Sequence, residues 1–124
     1  MKLVYVVGPY RGSGLWQISE NIRRAEALAL QVWQLGAACI CPHKNTAYFN
    51  GAAPDHVWID GDLEMVRRSD AIICVPGWEQ SVGSKGEVAL AGQLGLPVFH
   101  SIDELRHWMT EPLHTDKSSP LLRV

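Results

Sequence analysis

Ala71-Ile72-Ile73-Cys74-Val75-Pro76-Gly77 is the stretch on which the fold turns. Five successive apolar residues cut short by Pro-Gly form the pattern of a strand buried on both faces, as in a parallel sheet. A helical pattern lies on either side of it. Upstream, Asp55 follows Pro54, the apolar positions Val57, Leu63 and Val66 recur, and Arg67-Arg68 suit a helix C-terminus. Downstream, a loop runs through Gly83, then Val88, Leu90, Ala91 and Leu94 mark a helix that stops at Gly95. A second short strand, residues 97–100, precedes the capping box Ser101-Ile102-Asp103-Glu104, which predicts a last helix to about Met109.

The N-terminal half repeats this alternation. Leu3-Val4-Tyr5-Val6-Val7 is a buried strand stopped by Gly8-Pro9. Ser19 is placed to cap a helix in which Ile22, Ala25, Leu28, Ala29 and Val32 keep helical spacing up to Gly36. Residues 37–41 read as another strand, closed by Pro42, and residues 43–54 as a polar loop. Strands alternating with helices predict an α/β fold: a three-layer, doubly wound (Rossmann-like or flavodoxin-like) parallel sheet of four to five strands with helices on both faces. In such folds ligands bind at the carboxyl edge of the strands, where strand order reverses. That rule selects residues 8–14, 43–50 and 76–86.

At 124 residues the chain reads as a single domain, residues 1–124, with residues 111–124 as a loosely packed or subunit-contacting tail. The composition is 47% hydrophobic, and 11 basic against 13 acidic residues leave a net charge of -2. Those values suit a packed core, exclude a disordered chain, and argue against nucleic-acid binding, which calls for a basic excess. No apolar run approaches the ~18 residues of a membrane span, and the run after Lys2 is too short for a signal peptide. A cytoplasmic location is expected, with neither membrane nor nucleic acid as partner. Three cysteines do not make a disulfide framework. Cys39, Cys41 and His43 would share one side of a strand, but no further cluster supplies a fourth ligand, so no metal is assigned.

Three segments could carry chemistry. Gly8-Pro9-Tyr10-Arg11-Gly12-Ser13-Gly14 permits close backbone approach to an anion, with Arg11 as a clamp; it lacks the Gly-Lys-Ser/Thr of a P-loop. In Ser81-Val82-Gly83-Ser84-Lys85-Gly86-Glu87, small residues precede a helix, so amides there can face a ligand. Glu87 is assigned to the first turn of that helix, where stabilisation by the helix dipole is sufficient reason for an acid. Asp62, within Asp60-Gly61-Asp62-Leu63-Glu64, has a solvated acidic face as its ordinary explanation. If both faced one cleft, they would supply the two carboxyls of glycosidic cleavage. Asp70 opens a strand at the opposite edge and is read as structural.

Taken in order, Tyr5-Val6-Val7-Gly8-Pro9-Tyr10-Arg11-Gly12, Gly61-Asp62-Leu63-Glu64, Ser69-Asp70-Ala71 and residues 81–87 resemble the nucleoside 2-deoxyribosyltransferase-like superfamily. The resemblance extends to the related 2'-deoxynucleoside 5'-monophosphate N-glycosidases and covers about three-quarters of the chain. It implies that Glu87 attacks C1' of a deoxyribose, that Asp62 assists the departing base and that Tyr5 orients Glu87. It further implies substrate contacts at Gly8, Tyr10, Arg11, Gly12, His43, Trp78, Ser81 and Gly83. No cofactor is implied. The partner is a small nucleoside or nucleotide, and a homodimer or larger homo-oligomer is expected. The transferases carry aspartate where this chain has Ser81; a serine there, with Arg11, suits a 5'-phosphate. Pro9 stands where the monophosphate enzymes have a phosphate-contacting serine.

Three activities follow from these residues: N-glycosidic cleavage of a 2'-deoxynucleoside, as its 5'-monophosphate; deoxyribosyl transfer between bases on free nucleosides; and nucleotide binding without turnover. The segment from Pro76-Gly77 to Glu87 also resembles the phosphate loop of the cytokinin-activating ribohydrolases, with longer spacing and Trp78 in place of a glycine. Trp16, Trp58 and Trp78 are candidates for a subunit interface or for stacking on a base.

Overall fold

The computed structural model describes residues 1–111; the expected tail beyond Glu111 lies outside the described residues. The elements are β1 (Leu3–Val7), α1 (Leu15–Gln34), β2 (Ala38–Ile40), α2 (Pro42–Asn45), α3 (Asp55–Arg67), β3 (Ala71–Cys74), a 3-10 turn (Trp78–Gln80), α4 (Val82–Leu94), β4 (Val98–Phe99) and α5 (Ile102–Thr110). The strands form one parallel sheet of four in the order β2-β1-β3-β4. The expected doubly wound architecture is present, with four strands.

Alternation along β1 explains both layers. Val4 and Val6 face a core built with Ala25, Ala29 and Val32 of α1 and Leu105 of α5. Tyr5 and Val7 face the other side, against Val66 of α3 and Ala91 of α4. Both faces of β1 and β3 are therefore buried, which is why these strands read as unbroken apolar runs. Asp70 sits at the opposite edge as expected: its carboxylate accepts from the Leu3 amide at 2.8 Å, and its own amide donates to the Leu3 carbonyl at 2.8 Å.

Three boundaries differ from the sequence reading. Helix α1 begins at Leu15 with Gly14 as N-cap, so Ser19 is inside the helix and its hydroxyl meets Tyr48 Oη at 2.6 Å. Residues 42–45, expected as strand end and loop, form the short α2, because Pro42 suits a first helical position. His43 therefore lies on a helix, and the strand alternation that would align it with Cys39 and Cys41 does not reach it. Among the described residues no group of three or more His, Cys, Asp or Glu is placed to hold a metal. Finally, α4 starts at Val82, not beyond Gly83, with Ser81 as its N-cap accepting from the Ser84 amide at 3.2 Å. None of the described helices is long and apolar enough to cross a membrane.

The sheet's strand order reverses between β1 and β3, and there the chain leaving β1 presses on the end of β3. A Cβ on Gly8 would lie 2.8 Å from Val75 Cγ2 and 2.9 Å from Val75 Cβ. Gly8→Ala should thus overpack this junction and cost about 1–3 kcal/mol. Gly92 of α4, with nothing within 4 Å of an added Cβ, provides the contrast. Gly92→Ala should gain about 0.5–1 kcal/mol through helix propensity. Thermal denaturation of the two variants should move the midpoint in opposite directions.

Candidate active site

Tyr5 is the third residue of β1, and its fully buried side chain passes beneath α4. Its phenol donates to Glu87 Oε2 at 2.5 Å. Glu87 is the sixth residue of α4, in the second turn and not, as the sequence reading had it, the first. Side chains on a helix lean toward its N-terminus, so Glu87 still reaches the strand edge. The displacement removes the ordinary explanation for the acid. A carboxylate stabilised by the helix dipole would titrate low, whereas burial pushes Glu87 up to about 8, against the lowering effect of the Tyr5 bond. Both Glu87 and the neighbouring Asp62 also raise the Tyr5 phenol, on top of its burial.

Asp62, on α3, is half-buried and has neither a hydrogen bond nor an ion pair with the described residues. Burial raises its carboxyl to about 6. Its charge is felt at both Tyr5 and Glu87, so the two acids share one environment, as adjacent helices α3 and α4 bring them together. Such a pair titrates as a unit, and in the uncomplexed chain Asp62 gives up its proton before Glu87. The acidic neighbours of Asp62 are engaged differently: Glu64 is an exposed carboxylate paired with Arg67 and Arg68.

The turn after β1 is pinned to the segment that follows α2. Tyr10 Oη accepts from the Tyr48 amide at 2.8 Å and donates to Asn50 Oδ1 at 2.9 Å, fastening residues 46–52 beside the strand edge. Tyr48 itself takes φ 61°, in the left-handed region uncommon for a bulky residue. His43 is buried, and its Nε2 lies 3.0 and 3.1 Å from the carbonyls of Gly8 and Pro9. Two carbonyl partners require a proton on Nε2, so Nδ1 is a bare acceptor, buried and without a partner among the described residues. Burial keeps the ring's pKa below the ordinary value, despite those carbonyl bonds.

Arg11 is largely exposed and pairs with Asp55 at the start of α3, at 2.7 Å. A Cβ on Gly12 would run into the Gln17 side chain, whereas one on Gly83 would meet only Ser81 Oγ at 4.0 Å. Trp78 packs on the β1/β3 core and stacks on His100, ring centroids 6.0 Å apart. The Trp58 ring lies beside Phe49, centroids 5.6 Å apart, and its buried Nε1 has no partner among the described residues, while Trp16 is exposed. A separate depression between α1 and β2, lined by Ala27, Leu30, Trp33 and Cys39, holds neither Asp62 nor Glu87.

Sequence reasoning missed Asn21. It is only 5% exposed, and its Nδ2 donates to the carbonyls of Tyr10 and Arg11 at 3.0 and 3.1 Å. The signal was present: Asn21 lies four residues before Ala25, on the stripe continued by Ala29 and Val32, where an asparagine must find buried partners.

Among solved structures the fold is similar to that of the 2-deoxyribosyltransferase of the psychrotolerant bacterium Bacillus psychrosaccharolyticus, described as a biocatalyst for nucleoside synthesis. The likeness has a TM-score of 0.63 over 84% of this chain and 90% of that one, at 14% identity, and at that identity it shows the fold. Among curated proteins none matches the chain. A family model does match, over residues 2–100: the chain belongs to the family described as "Domain of unknown function (DUF4406)".

Proposed function

We propose that the chain cleaves the N-glycosidic bond of a 2'-deoxynucleoside, as its 5'-monophosphate. The observation that carries this reading is the buried Tyr5–Glu87 hydrogen bond at the reversal point of the sheet, with the unpaired Asp62 carboxyl beside it. The fold shared with a 2-deoxyribosyltransferase supports it. Glu87 Oε attacks C1' and forms a glycosyl ester as the C1'–N bond breaks. The bonding pair leaves on the base nitrogen, and Asp62 delivers the proton that neutralises the departing base. Water or a second base then attacks C1', releasing the Glu87 carboxylate; the attacking group gives its proton to Asp62. Tyr5 fixes the carboxylate and stabilises it when ionised.

The 5'-phosphate preference rests on Arg11 and Ser81. The exposed Arg11–Asp55 pair is worth little, so the guanidinium is available to a phosphate. Ser81 Oγ accepts the capping bond and keeps its hydroxyl proton for donation. Aspartate is an equally good N-cap, so Ser81→Asp should fold normally. It should nevertheless raise KM for a 5'-monophosphate by about 10-fold or more through charge repulsion, and leave the free nucleoside within about twofold. Arg11→Ala should share the direction.

Release of free base from deoxy- and ribonucleosides and their 5'-monophosphates tests the whole reading. Preferential release from deoxynucleoside monophosphates is expected. Release chiefly from free nucleosides, accelerated by an added acceptor base, would instead make the chain a transferase. Tight binding of intact nucleotide with no base released would make it a binding module.

A further inference from the structure

Four successive carbonyls leave the end of β1 pointing into the protein. Those of Gly8 and Pro9 accept from His43 Nε2, and those of Tyr10 and Arg11 from Asn21 Nδ2. Both clamping side chains are more than nine-tenths buried. Asn21 is held in the donating orientation by Gln17, whose Nε2 donates to Asn21 Oδ1 at 3.1 Å. This bond fixes which side of the amide faces the turn.

Every peptide bond here is trans, so each C=O opposes the N–H of the next residue. Carbonyls of Pro9, Tyr10 and Arg11 held against α1 and α2 therefore turn the amides of Tyr10, Arg11 and Gly12 the other way. None of these three amides has a partner among the described residues. The opposite layer is the one that holds Asp62 on α3 and Glu87 on α4. Arg11's guanidinium reaches toward α3 as well. Three consecutive free amides beside an arginine make a concave anion site.

We propose that Asn21, oriented by Gln17 and assisted by His43, is a positioning residue that preforms an amide nest at residues 10–12 for the phosphate of the substrate. The inference rests on the reading of a 5'-phosphorylated substrate. It adds a reason why that phosphate needs an asparagine it never touches. It also accounts for Gly12, since any side chain there would displace Gln17 and release Asn21.

The test uses inorganic phosphate as ligand, followed by calorimetry, alongside KM for a deoxynucleoside and its 5'-monophosphate. Asn21→Ala should weaken phosphate binding about tenfold and raise KM for the monophosphate alike, with KM for the free nucleoside held within about twofold. Gln17→Leu, a surface change that spares the core, should act in the same direction by a smaller factor, and decides the matter should Asn21→Ala fail to fold. Unchanged phosphate affinity in a folded variant overturns the proposal, as does a wild-type chain that binds no phosphate. Phosphate binding that depends on Asn21 and Gln17, with no base released from any substrate, upholds the nest and overturns the glycosidase reading alone.

Discussion

Glu87→Gln should abolish base release, with kcat/KM falling at least about 10³-fold, while making the protein more stable at alkaline pH. The loss follows because the amide has no anionic oxygen to offer C1'. The gain in stability follows from linkage. Glu87 has a folded pKa of about 8 against an ordinary value of 4.5, so the unfolded chain releases this proton more readily than the folded one. Stability is therefore lost as pH rises from about 4.5 to about 8, and stays lost above that. Glutamine removes the ionisation and with it the penalty. Discounted for a side chain that retains some contact with water, the gain at pH 8.5 is about 1–3 kcal/mol, or roughly 3–10 °C in the midpoint. At pH 4.5 the variant and the parent should melt together. A variant that is inactive and no more stable at pH 8.5 would mean that Glu87 is ionised without penalty, and that the buried acid described here is wrong.

Tyr5→Phe should be the second most damaging change. It leaves the strand and its core packing in place and removes the hydroxyl that donates to Glu87. That bond is the interaction that lowers the Glu87 pKa; without it the carboxyl ionises at higher pH. Expected are a fall of about 10–100-fold in kcat/KM at neutral pH and an upward displacement of the descending limb of the pH profile, on which Glu87 loses its proton, with the rising limb unmoved. On the proposed reading the parent chain should show a bell with limbs near 6 and 8, belonging to the pair. The productive state, Glu87 ionised and Asp62 protonated, is the minor of the two singly protonated forms. Asp62→Asn should therefore leave a single limb that rises with pH as Glu87 loses its proton. A profile in Asp62→Asn that still falls above pH 8 would assign the descending limb to another group.

Much of this architecture is legible in the order of residues. The unbroken runs at residues 3–7 and 71–75 are apolar because both faces of β1 and β3 are covered, and that alone implies a doubly wound sheet. Strand ends then select the site. Less legible are features set by tertiary contact. The start of α1 at Leu15 has no side-chain cap to announce it, and Ser19, a good cap by chemistry, is used by Tyr48 instead. Glu87 was misplaced by a turn because Ser81, one more small residue in a run of them, is the cap. The four inward carbonyls held by His43 and Asn21 arise from backbone geometry and have no sequence pattern of their own. Asp62 and Glu87 as a pair were expected from resemblance, and spacing alone favoured ordinary surface acids.

The most direct test of the account is intact-protein mass spectrometry of the chain rapidly quenched with excess 2'-deoxynucleoside 5'-monophosphate, followed by peptide mapping. A covalent adduct with the mass of one phosphorylated deoxyribosyl group is expected, carried by the peptide that contains Glu87 and lost in Glu87→Gln. Base release that continues at the parent rate in Glu87→Gln, with no adduct at that peptide, would contradict it.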